Sequence, residues 1–145
     1  LVKSGDRLLD MGCGSGILSV AAHMLGAEDV TAVDIDPNAV RIAAENAEKN
    51  GFALHTGVGD VIGDAELSAR IGGDYDIIVA NIVADVIMGM QDILKSKLKR
   101  EGTLIVSGII APRADEVQAS LLGAGFVLDR RDQSGDWVAM TLHQA

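Results

Sequence analysis

Cysteine is almost missing from this chain. Cys13 stands alone, so no internal disulfide can form, and the three histidines make no cluster at zinc-ligand spacing. A structural metal is therefore not expected. No apolar run approaches the length of a membrane span, and no basic segment leads into an apolar stretch as in a signal peptide. The cytoplasm is the expected location. Basic residues are in deficit as well: 12 Lys and Arg face 21 Asp and Glu, a net charge of −9. That balance opposes nonspecific attachment to nucleic acid, which is driven by phosphate neutralisation. It suits a basic protein partner, or it simply keeps the domain soluble.

What is present is enough for one folded domain spanning 1–145, with 48% hydrophobic residues to build a core. The chain opens at Leu1 without a methionine and reaches its first strand almost at once, as a piece of a longer protein would.

The stretch Arg7 to Gly16 reads RLLDMGCGSG. Leu8 and Leu9 run into Asp10, and Gly12, Gly14 and Gly16 follow before a helical pattern begins at Ile17. This is a strand, a tight loop and a helix start. Glycine brings backbone close to a ligand, and the helix that follows offers free N–H groups. Ile17, Val20, Ala21 and Met24 carry the helical period, and Gly26 stops it. Val30 to Val33 is a buried strand ending in Asp34-Ile35-Asp36. Asp36 caps the next helix with Pro37 in its first position, Val40, Ala43, Ala44 and Ala47 face inward, and Asn50-Gly51 ends it.

Further along, Phe52 to Thr56 forms a weak strand and Ala65 to Ile71 a short helix. Tyr75 to Ala80 is the clearest buried strand and ends at Asn81. One helix is expected from Ala84 to Lys99, with Ile87, Met90, Leu94 and Leu98 inward. Its basic end, Lys95, Lys97, Lys99 and Arg100, either complements the helix dipole or grips a phosphate; the dipole is favoured. Thr103 to Ser107 is a strand, and Pro112 to Leu122 a helix with Val117, Leu121 and Leu122 inward. Phe126 to Arg130 and Trp137 to Leu142 form a terminal hairpin, with Phe126 and Trp137 in the core. The fold class is thus α/β: a doubly wound, mostly parallel seven-stranded sheet with an antiparallel hairpin at its carboxyl end. Ligands in such folds sit outside the carboxyl ends of the strands, where Asp10, Asp34 and Asn81 all lie.

A dinucleotide fingerprint G-x-G-x-x-G would need glycine at Ile17. The chain offers G-x-G-x-G, led by Asp10. A carboxylate there repels pyrophosphate and attracts an ammonium, directly or through the loop's hydrogen bonds. Asp34 follows the loop by about the twenty residues expected of an acid that takes both ribose hydroxyls. Adenosine joined to an amino acid satisfies both demands, which is S-adenosylmethionine. Asp10, Gly12, Gly14, Asp34 and Asn81 form the candidate cofactor-binding set.

These residues resemble the class I S-adenosylmethionine-dependent methyltransferases, with their Rossmann-like fold. The spellings GCGSGIL at Gly12 to Leu18, DIDP at Asp34 to Pro37, VANI at Val79 to Ile82 followed by Ala84-Asp85, and SGII at Ser107 to Ile110 are similar to the ribosomal protein L-eleven methyltransferases, the PrmA family. The resemblance covers nearly the whole chain. It implies a protein methyltransferase that modifies lysine side chains and an N-terminal amine of one ribosomal protein, with Gly12, Asp34 and Asn81 on the cofactor and no catalytic base to assign. Against the family pattern, an N-terminal substrate-recognition domain and a threonine-containing loop before the first strand are absent from this sequence. Substrate capture is then expected to lie upstream.

Three rival readings are a nicotinamide-dependent oxidoreductase domain, a glutamine methyltransferase of release factors, and a binding module without turnover. Ile17 and Asp10 speak against the first. The second would show Asn-Pro-Pro-Tyr where this chain has Asn81-Ile82-Val83-Ala84. Cys13 is expected to be a packing residue, and His23 and His55 receive no role.

Overall fold

The computed structural model describes residues 2–145. Seven strands form one sheet: β1 (Arg7–Met11), β2 (Asp29–Asp34), β3 (His55–Val58), β4 (Tyr75–Asn81), β5 (Leu98–Ile110), β6 (Phe126–Ser134) and β7 (Trp137–Gln144). Their order is β3-β2-β1-β4-β5-β7-β6. The strands from β3 across to β5 run parallel, and β7 is antiparallel to both β5 and β6. The direction of winding reverses between β1 and β4, which leaves a crevice at their carboxyl ends. In that register Met11 lies beside both Val33 and Ala80, so the ends of β1, β2 and β4 meet at one edge.

Six helices cover the sheet: α1 (Ile17–Met24), α2 (Pro37–Lys49), α3 (Ala65–Ile71), α4 (Ala84–Gly89), α5 (Gln91–Lys97) and α6 (Ala114–Gly123), the last preceded by a 3-10 turn at Ala111–Arg113. Strand residues alternate between the two faces. Leu9, Met11, Ile78, Leu104 and Val106 meet Leu67, Ile87, Leu94, Val117 and Leu121 of α3 to α6 in the main core. Leu8, Val30 and Ile77 point the other way, toward Ala22 of α1. Val40 and Ala43 of α2 pack against Cys13 and Ala32.

The architecture agrees with the sequence expectation, and the exceptions are local. Along α1 the apolar period at Ile17, Val20, Ala21 and Met24 is not the buried one. Ser19 and Ala22 face the sheet, while Ile17 and Met24 are exposed. Strand β3 begins at His55 instead of Phe52. The expected helix from Ala84 to Lys99 is two helices joined at Met90, whose backbone leaves helical values at φ −112° and ψ 10°. Gly89, a poor helix former, precedes the break. Leu98, Lys99 and Arg100 belong to β5.

The basic cluster serves neighbouring carbonyls. Lys97 is buried and its Nζ donates to Ser68 O at 2.7 Å and Gly72 O at 2.8 Å, at the carboxyl end of α3. Lys95 Nζ donates to Ala124 O, just past α6. Both cations thus complete the ends of helices other than their own. Lys99 pairs with Asp76. In α6, Val117 and Leu121 are buried but Leu122 is exposed, and in the hairpin Phe126 is buried while Trp137 is 56% exposed. Trp137 opens β7 at the sheet's rim, beyond the reach of the helices that cover Val138 and Met140.

Candidate cofactor site

The glycine loop is tied down from both sides. Gly12 N and Cys13 N donate to Val33 O at 2.8 and 3.1 Å, which docks the loop on β2. Gly12 has φ +72°, and a side chain there would collide with Ile82 Cγ2. Gly16 starts α1 with φ +82°, and a Cβ would stand 2.8 Å from that of Ala43. Each position excludes other residues both by conformation and by space. Gly16 therefore allows a close approach of α1 and α2, one residue before the third fingerprint position, which Ile17 occupies.

Asp34 and Asp36 divide their duties. Asp34 Oδ2 accepts from Gly14 N and its Oδ1 from Asp36 N, each at 3.0 Å, so the carboxylate is held at the end of β2 beside the loop. Asp36 Oδ1 accepts from Asn38 N at 2.9 Å and caps α2. Each Asp34 oxygen keeps a lone pair for a ligand hydroxyl.

A pocket of about 350 Å³ opens here. Met11 and Gly12 form one end, Asp34 and Ile35 one wall, Asp60 and Val61 another, and Asn81, Ile82 and Val83 the far side. Asp60 is a site residue that sequence reasoning missed. Its Oδ1 accepts from Ile62 N at 3.0 Å, and it follows Gly59 directly after β3. With β3 expected to end at Thr56, the Gly59-Asp60 pair fell inside a loop; a strand running to Val58 puts it at a carboxyl end like the others.

Asp10 takes a different position from the rest of the candidate set. It is fully buried and does not line the pocket. Ser19 Oγ donates to its Oδ2 at 2.7 Å, while Oδ1 has no partner among the described residues. Loss of solvent raises its pKa to about 6, and the Asp34 charge adds to this, against the lowering effect of Ser19. Its carboxylate lies under the loop, so any influence on a ligand runs through Ser19, α1 and the loop backbone. Gly14 N contacts Asp34, and its Cα faces open space. Asn81 lies on the pocket's rim. Cys13 is buried, and loss of solvent pushes its thiol up to about 12. It stays a thiol at neutral pH and packs as a small apolar group.

The donor set fits an adenosine-bearing cation. Two carboxylates can accept from ribose hydroxyls and an exocyclic amine, and Ile35, Val61, Ile82 and Met90 offer apolar walls for a flat base. The lining holds Asp34 and Asp60 and no Lys, Arg or His, and that uncompensated negative charge disfavours a pyrophosphate.

The doubly wound sheet, glycine loop and acidic pocket together define a Rossmann-like fold whose crevice suits a nucleoside bearing a cation. A crystal structure of a TehB-like SAM-dependent methyltransferase from Corynebacterium glutamicum shares the fold at a TM-score of 0.78, with 19% identity over 99% of this chain and 82% of that one. The family described as Ribosomal protein L11 methyltransferase (PrmA) matches residues 1–145, and the chain belongs to that family. The ribosomal protein L11 methyltransferase of Acetivibrio thermocellus is 45% identical over 97% of this chain and 44% of its own length. The crystal structure of ribosomal protein L11 methylase from Lactobacillus delbrueckii subsp. bulgaricus is 32% identical with a TM-score of 0.89, over 99% of this chain and 72% of that one. The chain thus spans under half the length of the curated relatives it matches.

Proposed function

We propose that residues 1–145 form the cofactor-binding domain of a protein methyltransferase that modifies amino groups, lysine side chains and an N-terminal amine, of a ribosomal protein in the cytoplasm. The observation that carries this reading is the pocket at the β1/β4 crevice, with Asp34 and Asp60 on its walls and no cation in its lining. S-adenosylmethionine, when bound, supplies an activated methyl group on a sulfonium.

Asp34 would accept hydrogen bonds from the ribose hydroxyls, and Asp60 would accept from the exocyclic amine of the base, with Ile35 and the apolar side chains of the lining as its walls. The backbone of Gly12 and Gly14 comes close to the amino-acid end, and Asp10 holds the loop from below through Ser19. Asn81 offers a carbonyl and an amide at the rim to orient the incoming amine. Such transfer depends chiefly on proximity and alignment. A lysine with an ordinary pKa near 10.4 must first lose its proton, and a site poor in water helps it do so. No residue of the pocket is assigned as a catalytic base. Direct contact with nucleic acid is not part of the proposal, and recognition of the whole substrate protein is assigned to regions of the longer relatives outside this chain.

S-adenosylhomocysteine should stabilise the chain against heat, by about 2.7 kcal/mol at ~100 times its dissociation constant, and NAD should not. Asp34→Ala should abolish most of the shift. Absence of any shift at saturating S-adenosylhomocysteine would overturn the cofactor assignment.

A further inference from the structure

Trp137 is the chain's single tryptophan, and it is more than half exposed. It pairs with Ile110 of β5 across the antiparallel ladder. With Val83, Gly108, Ile110 and Arg113 it lines a small groove of about 140 Å³. Val83 and Ile110 are themselves exposed large apolar residues, so this floor is open to solvent. The groove adjoins the cofactor pocket in two places. Val83 lines both, and a Cβ on Gly108 would stand 2.5 Å from Asn81 Oδ1.

Among the described residues, no cation at the rim is free. Arg113 is the one cation in the lining, and it is already engaged: Nη2 donates to Asp85 Oδ1 and Nε to Glu116 Oε1, both at 2.7 Å. Arg113 holds the Asp85 carboxyl below the usual carboxylate range, so Asp85 is ionised at neutral pH. Asp85 balances Arg113 within the lining, and Glu116 of α6, which pairs with Arg113 from outside it, brings the three groups together to −1. An apolar, aromatic floor beneath an anionic rim matches a long methylene stem that ends in an ammonium. A phosphate or carboxylate would be repelled there, and a purely apolar side chain would forgo the charge.

We infer that this groove seats the aliphatic stem of the acceptor lysine and delivers its amine to the Asn81 side of the cofactor pocket, with Trp137 as a specificity-determining residue. The inference rests on the methyltransferase reading above. It divides the two acceptor types, because an N-terminal α-amine has no stem to lie against the indole and should not depend on Trp137.

A lone tryptophan makes the groove directly observable by fluorescence. The chain, with and without S-adenosylhomocysteine, is titrated with an N-acetylated Gly/Ser peptide bearing one lysine. Controls carry norleucine in its place, or no side-chain amine but a free N-terminus. The lysine peptide should give a saturable change in Trp137 emission, the norleucine peptide one about tenfold weaker in affinity, and the free N-terminus none. By calorimetry, Trp137→Ala should weaken the lysine peptide about tenfold, Trp137→Phe should recover most of it, and S-adenosylhomocysteine affinity should stay unchanged in both. Emission that ignores the lysine peptide up to ~10 mM, or equal responses to all three peptides, or equal lysine-peptide affinity in Trp137→Ala, would overturn the groove assignment. A thermal shift with S-adenosylhomocysteine is scored separately. Its loss would count against the cofactor reading, while the tryptophan titration would still decide the groove.

Discussion

The two faces of the sheet are built from different materials. Toward α3 to α6 lie large aliphatic side chains, Leu9, Ile78, Ile87, Leu94, Leu104, Val117 and Leu121 among them, all essentially free of solvent. Toward α1 and α2 the sheet's Leu8, Val30 and Ile77 and the Val40 of α2 meet mostly small partners, Ala22, Ala27, Ala32, Ala43 and Cys13, with a buried Asp10–Ser19 pair on the same side. Bulk buries area and holds the sheet together. Small residues let helices approach until backbone elements nearly touch, as Gly16 does with Ala43. The glycine loop needs that close approach, since it must sit on Val33 and beneath Ile82 at once. Stability is concentrated on one face and the shape of the loop on the other.

Substitutions can break this contrast, in descending order of expected effect. On the bulky face, Ile87→Ala should cost about 2–5 kcal/mol of unfolding free energy, because Ile87 is wholly enclosed between α4 and the sheet. Chemical denaturation measures this, and a loss under ~1 kcal/mol would mean that face is loosely packed.

On the small face the largest effect should be electrostatic. The folded-state pKa of Asp10 is raised from 3.8 to about 6. Between those values the unfolded chain releases its proton while the folded chain keeps it, so stability falls as pH rises through the window and the cost is complete above it. At 1.36 kcal/mol per unit, about two units correspond to roughly 3 kcal/mol. Asp10→Asn carries no charge, so its stability relative to the native chain should improve by about that amount from pH 4 to pH 7. Parallel pH profiles for the two proteins would remove Asp10 from this role.

Two smaller tests sharpen the picture. Asp36→Ala removes the α2 cap and should cost about 1 kcal/mol with cofactor affinity retained; a calorimetric loss of S-adenosylhomocysteine binding equal to that of Asp34→Ala would erase the division of labour between the two acids. Met24→Gln sits on the outward side of α1 and should change stability by no more than about 0.5 kcal/mol. A larger loss would show that this exposed apolar side is covered in solution.

The boundaries that sequence reading placed well are those marked by local chemistry. Asp36-Pro37 starts α2 and Asn50-Gly51 ends it, because a carboxylate cap and a fixed φ act within a few residues of themselves. The candidate site was legible in part. Gly12, Asp34 and Asn81 line one pocket at the carboxyl ends of β1, β2 and β4, while Gly14 meets it only through its hydrogen bond to Asp34 and Asp10 lies outside it. Asp60 escaped because β3, with only Gly57 buried, has almost no apolar pattern to mark its end.

Sequence by itself determined the succession of strands and helices apart from the break at Met90, the glycine loop and the two acids at the end of β2, since each follows from period, turn chemistry and spacing along the chain. Tertiary structure alone decided which side of each element would be covered. A helical period names a stripe on α1 but not the neighbour it meets, and the sheet took Ser19 and Ala22 while leaving Ile17 and Met24 outside. In the same way Asp10 went under the loop and Trp137 to the open rim, because burial depends on what lies across the fold and not on the residue beside it.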